Sequence, residues 1–187
     1  MFPECVTVHG KEFCRLISAE RVEARVRELA ARMNEELRNK RPLFLAILNG
    51  SFFFAADLLR HLDFLCEISF VKLASYQGTH SAGKIRELIG LNESLRGRSI
   101  VILEDIVDSG LTITYLQDKL MEYSPQEIRV AALLLKREAL QRPVHVDYVG
   151  FEVPNIFLLG YGLDYDQLGR NLPGIYALKL ESKTKLA

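Results

Sequence analysis

The sequence predicts an α/β fold, a mainly parallel, twisted sheet flanked by helices, and three observations point to it. Leu43–Leu48, Ser99–Leu103 and Ile128–Leu135 are short, almost wholly apolar runs, the pattern of strands buried on both faces. Stretches with helical spacing stand between them, as parallel strands require of their connections. Glycine and charge interrupt the runs at their carboxyl ends, where such sheets bind ligands.

Each element has its own signal. From Ser18 to Lys40, Val22, Val26, Leu29, Met33 and Leu37 recur in steps of three and four and form one apolar helical stripe. Ser18 suits the N-cap, Arg38, Lys40 and Arg41 suit the negative end, and Pro42 discourages continuation. Leu43–Leu48 is a buried strand broken by Gly50-Ser51, and Phe52–His61 reads as the next helix. Cys66–Leu73 and Ile85–Leu91 are strand-like, and Tyr76–Lys84 between them is polar, small and expected to be a mobile loop. Ser99–Leu103 is a strand, Leu111–Tyr123 a helix ending before Pro125, and Ile128–Leu135 a strand followed by Lys136. Tyr148–Glu152, Ile156–Leu159 and Ile175–Leu180 are shorter strand-like pieces.

Composition narrows the function. A chain of 187 residues is sized for one domain and buries about 70% of its unfolded surface without staples. Lys+Arg and Asp+Glu number 24 each, so bulk charge gives no support to a nucleic-acid-coating role. Pro42–Ala56, the longest uncharged stretch, is shorter than the ~20 residues of a membrane span, and the N-terminus lacks a signal-peptide pattern. The expectation is a soluble cytoplasmic protein. Cys5, Cys14 and Cys66 form no CxxC pair and read as inert, part-buried thiols in a reducing compartment. The four histidines show no ligand spacing.

The chemistry concentrates in Val101–Ile113, VILEDIVDSGLTI. An apolar strand delivers Glu104 and Asp105, then Asp108, then Ser109-Gly110-Leu111-Thr112 opening a helix. A Ser/Gly/Thr turn at a helix N-terminus aims N–H groups and hydroxyls at one point, which suits a phosphate monoester. Adjacent carboxylates suit ribose hydroxyls or a hard cation such as Mg²⁺. Neither a GxxxxGK[ST] loop nor a GxGxxG turn is present.

On this string the chain resembles the type I phosphoribosyltransferases, and within them the hypoxanthine-guanine branch. The resemblance runs from about Gly10 to Leu180. It continues in ILNGSFFFAADLL (Ile47–Leu59), similar to the pyrophosphate loop, and in Ser75-Tyr76, similar to the head of the catalytic lid. LLLKR (Leu133–Arg137) and VGFEVPNIFLLGYGLDY (Val149–Tyr165) with Arg170 complete it. The resemblance implies a core of about residues 16–158 and a hood from about 1–15 and 159–187. It implies transfer of a phosphoribosyl group from 5-phosphoribosyl 1-diphosphate to hypoxanthine or guanine, with Mg²⁺, in a homodimer or homotetramer.

The same resemblance assigns roles. Asp108 is the general base toward purine N7, and Asp108, Ser109, Gly110, Leu111 and Thr112 hold the phosphoribosyl part. Glu104 and Asp105 meet the ribose hydroxyls directly or through Mg²⁺, and Asp164 borders the purine and helps hold a second Mg²⁺ on the pyrophosphate. Asn49, Gly50, Ser75, Tyr76 and Arg170 bind pyrophosphate, and the Leu48–Asn49 bond matches a non-proline cis peptide. Lys136, a donor only, meets the purine O6, Phe157 stacks on the ring, and the Leu158 carbonyl accepts from N1–H. Asn49 departs from the lysine many relatives carry, and Lys72 offers a compensating charge. Two alternatives stay open: an RNA-binding regulator of the same fold that senses phosphoribosyl diphosphate, and a xanthine- or pyrimidine-preferring enzyme.

Overall fold

The computed structural model describes residues 2–75, 85–89 and 94–179. In chain order the elements are β1 (Cys5–Val8), β2 (Lys11–Ile17), α1 (Ala19–Leu37), β3 (Leu43–Leu48), α2 (Phe52–Arg60), β4 (Glu67–Ser75) and β5 (Ile85–Ile89). They continue with β6 (Ser99–Val107), α3 (Leu111–Met121), β7 (Glu127–Leu135), β8 (Tyr148–Glu152), β9 (Leu158–Leu159) and β10 (Ile175–Leu178).

The larger sheet has the order β5-β4-β3-β6-β7-β8. Five strands run parallel, and β5 adds an antiparallel edge. Side chains alternate between the faces of a strand, so each apolar run supplies two cores at once. Phe44, Ala46, Val101, Leu103, Ala131 and Leu133 pack toward α1 and α2. Leu43, Leu45, Ile100, Ile102, Val130 and Ala132 pack with Ile113, Leu116 and Leu120 of α3. Helices therefore cover both faces, which explains runs with no polar alternation.

Helix α1 follows its sequence signals. The Ser18 side chain accepts from the Arg21 N–H, and Val22, Val26, Leu29, Met33 and Leu37 are buried. Arg25 reaches the outer strand and donates to the carbonyls of Gly150 (2.7 Å) and Val149 (3.1 Å), satisfying part of an exposed edge. No helix among the described residues is long and apolar enough to cross a membrane.

The smaller sheet, β1-β2-β10-β9, draws on both ends of the chain, and Phe13, Leu159, Leu172 and Tyr176 form its core. Its first hairpin was not foreseen in the sequence. His9 (φ 48°) and Gly10 (φ 75°) form a two-residue turn with both φ positive, which matches the twist of the strands it joins.

That hairpin overturns one expectation. Cys5 and Cys14 are paired in a disulfide rather than standing as separate inert thiols. They lie directly across from each other in register, nine residues apart in sequence, a proximity that a search for CxxC spacing does not detect. Cys66 remains a free thiol, half-buried, and burial pushes its pKa up.

Strand β6 also runs past its expected end at Leu103. Glu104 pairs with Ala132, Ile106 with Leu134 and Val107 with Leu135, so the ladder carries the backbone through the acidic pair. The carboxylates thus sit on a strand, not in a turn. The Leu48–Asn49 peptide is cis, in agreement with the resemblance. Tyr76 and the rest of Tyr76–Lys84 lie outside the described residues.

Candidate active site

The carboxyl ends of β3, β6 and β7 meet at one edge of the sheet. A cradle of about 60 Å³ is lined by Glu104, Asp108, Ser109, Gly110, Thr112 and Ile113. Gly110 takes a left-handed conformation (φ 79°), open to glycine without penalty, and turns the chain into α3. The first N–H groups of α3 have no partner within the helix, and Gly110, Thr112 and Ile113 at this turn line the cradle. The Ser109 hydroxyl accepts from the Leu111 N–H (3.4 Å), and its carbonyl accepts from the Gln141 N–H (3.0 Å), which fixes the turn. The cradle is therefore a small, polar, donor-rich hollow of the kind a phosphate fills.

Two carboxylates stand at this end of β6, both half-buried: Glu104 lines the cradle, and Asp105 lies against Gly50. Burial pushes the Glu104 carboxyl well above the ordinary range, and the neighbouring Asp105 adds to the rise. Glu104 Oε2 is buried without a hydrogen-bond partner among the described residues. Burial likewise raises Asp105 to about 6, opposed by backbone N–H groups and Arg170 and reinforced by Asp164. An orphaned carboxylate oxygen beside a second acid is a donor set that fits a hard divalent cation. Such an ion would offset the cost of burying charge, the main cause of both shifts, and the repulsion that adds to it.

The pyrophosphate-loop residues close on Asp105 from β3. A Cβ at Gly50 would stand 1.6 Å from Asp105 Oδ2, and one at Gly162 would stand 1.9 Å from the Gly50 carbonyl oxygen. Glycine at both positions lets three backbone segments converge. Arg170 holds the hood segment in place, donating to the Gly162 carbonyl (2.6 Å) and pairing with Asp164 (2.7 Å). Asn49 is exposed at the loop, and Lys72 lies at the register position of Leu48 on the next strand. Ser75 ends β4, and Tyr76 lies outside the described residues.

The third group comes from β7 and the hood. Lys136 is only 7% exposed, and its Nζ donates to Asp108 Oδ2 at 2.8 Å. The parallel register pairs Val107 with Leu135, which brings the following residues, Asp108 and Lys136, side by side. Phe157 is 45% exposed and is held edge-on by Phe13 (6.1 Å between ring centroids) and Tyr165 (5.4 Å). The Leu178 N–H donates to the Phe157 carbonyl, and Leu158 faces Ala177 in the next register. In antiparallel alternation, the Leu158 N–H and C=O then point away from β10, along the free edge of the small sheet. Phe13 and Tyr165 were missed in the sequence, where only the alternation around His9-Gly10 hints at a strand bringing Phe13 to the hood.

A phosphoribosyl transferase domain model matches residues 16–166. The chain belongs to the phosphoribosyl transferase family. Within that family it is 41% identical over 165 residues to the hypoxanthine-guanine phosphoribosyltransferase of Bacillus subtilis, covering 88% of this chain and 92% of that one. It is 40% identical to the bifunctional protein TilS/HprT of Listeria innocua over 89% of its own length, spanning 26% of that longer protein. The hypoxanthine phosphoribosyltransferase of Trypanosoma cruzi, solved with the product IMP, superposes with a TM-score of 0.84. That pair shares 35% identity, over 94% of this chain and 98% of that one.

A separate cavity of about 640 Å³ lies between α1, α2 and the hood, lined by residues including Val26, Phe53, Arg60 and Leu172. The Tyr161 hydroxyl donates to Asp57 Oδ2 within it (2.6 Å). Arg60 also donates to Asp57 there (2.6 Å), and the cavity shares no lining residue with the cradle.

Proposed function

We propose that this chain transfers the phosphoribosyl group of 5-phosphoribosyl 1-diphosphate to hypoxanthine or guanine, giving IMP or GMP and pyrophosphate. The observation that carries the reading is the buried Lys136 Nζ, 2.8 Å from Asp108 at the mouth of the phosphate-sized cradle. O6, an acceptor, and N7, which carries a proton in the N7–H tautomer of the free base, are adjacent on one edge of a 6-oxopurine. A donor-only ammonium and a carboxylate this close can address both atoms together. Lys136 donates to O6, while Asp108 takes the proton from N7 as N9 bonds to C1 and pyrophosphate leaves. Adenine presents an amino group where Lys136 needs an acceptor.

The other groups follow. Ser109, Gly110, Leu111 and Thr112 hold the 5′-phosphate at the start of α3. Phe157 supplies the stacking face, and the outward Leu158 carbonyl accepts from N1–H. Gly50, Asn49, Ser75, Tyr76 and Arg170 take the pyrophosphate, with the guanidinium of Arg170 already oriented by Gly162 and Asp164. Glu104, Asp105 and Asp164 would hold Mg²⁺, a fit supported by the unpartnered Glu104 Oε2. When bound, Mg²⁺ supplies positive charge against the ribose hydroxyls and the departing pyrophosphate. Residues 1–187 act as one catalytic unit, a cytoplasmic homodimer or homotetramer working on small molecules.

The test is nucleotide formation from free bases with phosphoribosyl diphosphate and Mg²⁺. IMP and GMP are the expected products. Absence of both, or a clear preference for xanthine or a pyrimidine, would overturn the reading.

A further inference from the structure

We propose that Cys5 and Cys14 form a thiol–disulfide exchange site, with small-molecule disulfides as co-reactant, and that its state sets the affinity of the purine pocket. The second half of this proposal rests on Phe157 being the purine platform. The first half does not.

The Arg15 N–H donates to the Glu4 carbonyl (2.8 Å), so the next pair along, Cys5 and Cys14, is non-hydrogen-bonded. In such pairs the side chains are closest, and here the Cα atoms are 4.0 Å apart. Both residues are half-buried, hence within reach of a small thiol. Glu12, the one carboxylate grouped with them, is held by Lys179 at 2.6 Å, so a thiolate would not face an unpaired negative charge.

A purely structural staple explains little here. The bridge closes a loop of only nine residues, the short-loop limit where cross-linking restricts the unfolded chain least. A chain with three hydrophobic clusters does not need it to fold.

The hairpin does have a second job. Successive side chains alternate, so the face opposite the sulfurs carries Val6, Val8 and Phe13 into the hood core. The Phe13 ring touches Phe157 and stands 5.9 Å from Tyr165, and Lys11 Nζ lies 4.9 Å over the Tyr165 ring. Strand β1 is the sheet's edge, four residues long and held by β2 alone. The disulfide is its only covalent tie to β2 beyond the turn. When it opens, β1 is free to fray, Val6 leaves the core and the backing of Phe157 loosens.

The chemistry balances with an oxidised low-molecular-weight thiol, RSSR. One cysteine thiolate attacks RSSR, forming a mixed disulfide and releasing one RS⁻. The second attacks the protein sulfur of that intermediate, closing Cys5–Cys14 and releasing the other RS⁻. Two electrons pass from the protein thiols to RSSR, and their two protons appear on the two RSH released.

The experiment equilibrates the full chain across ratios of glutathione to glutathione disulfide, counts alkylated thiols by mass, and measures KM for both substrates. Three alkylated thiols are expected in the reduced state and one, Cys66, in the oxidised state. KM for hypoxanthine is expected to be about 2–10-fold higher when reduced, the worth of one aromatic contact, with KM for phosphoribosyl diphosphate unchanged. The C5S/C14S double variant should keep the reduced KM at every ratio, and C66S should show two alkylated thiols reduced and none oxidised with the wild-type shift in hypoxanthine KM. Three reactive thiols at every ratio, an equal hypoxanthine KM in both states, or a shift persisting in the double variant would each overturn the proposal. If hypoxanthine gives no nucleotide in either state, the purine reading and the coupling fall together, while the thiol count still decides the exchange site.

Discussion

Asp105→Asn should make the free protein more stable while making it a worse enzyme. Asp105 is packed against Gly50 and near Glu104 and Asp164, and burial moves its pKa from the ordinary 3.8 to about 6. The folded state therefore binds this proton more tightly than the unfolded chain does. A carboxyl raised in this way contributes its penalty above the unfolded value, growing between pH 3.8 and about 6 and complete beyond. Above pH 6 the penalty is at most about 3 kcal/mol, and because the side chain is only half-buried, solvent brings the expected value nearer 2. Asparagine keeps the shape and carries no charge. With metal chelated and no substrate, the variant should gain about 4–8 °C in Tm at pH 7.5 for a chain of this size. At pH 4.5 the gain should shrink to about a third, because most Asp105 in the native protein is then protonated. Scanning calorimetry at the two pH values reads this directly. Equal Tm values at pH 7.5, or a gain independent of pH, would refute the reasoning. On the proposed contact of Asp105 with the ribose hydroxyls or Mg²⁺, the same variant should raise KM for phosphoribosyl diphosphate.

Asp108→Asn should lower kcat by about 10²–10⁴ with substrates still bound, and near wild-type turnover would assign the proton to another group. Gly50→Ala forces a methyl onto Asp105 Oδ2, so it should raise KM for phosphoribosyl diphosphate and cost about 1–3 kcal/mol in urea denaturation. Burial pushes Glu127 up, but donors from Lys40, Ser99 and Arg129 outweigh it and hold the carboxyl at about 2. Its contribution is present above the unfolded value of 4.5 and lost as pH falls toward 2, so Glu127→Gln should destabilise more at pH 7 than at pH 3. Denaturation midpoints at the two pH values check it.

What the sequence made legible was what local pattern controls. The stripe of α1, the strands Leu43–Leu48 and Tyr148–Glu152, and the start of α3 after Gly110 all follow from periodicity and turn chemistry. The motif Glu104–Thr112 was legible because its parts are contiguous. Lys136 as Asp108's partner was not, because they lie 28 residues apart and meet only through the parallel register of β6 and β7. A lysine at a strand end gives no sign of its own burial. The hairpin of β1 and β2 was illegible for a related reason. Its strands are short, its outer face carries Cys5, Thr7, Glu12 and Cys14, and tertiary pairing with β10 decides its existence. The end of β6 depended on whether β7 offered partners beyond Leu103, which hydrophobicity alone does not encode.

The most direct test of the central claim is the ratio of kcat/KM for hypoxanthine to that for adenine, measured with phosphoribosyl diphosphate and Mg²⁺. With Lys136 and Asp108 in their proposed roles, the buried lysine meets a donor instead of an acceptor on a 6-amino purine and is left unsatisfied. The ratio should therefore be at least ~10³ in favour of hypoxanthine. Comparable values for the two bases would contradict the assignment of Lys136, and with it the account of how this site selects its substrate.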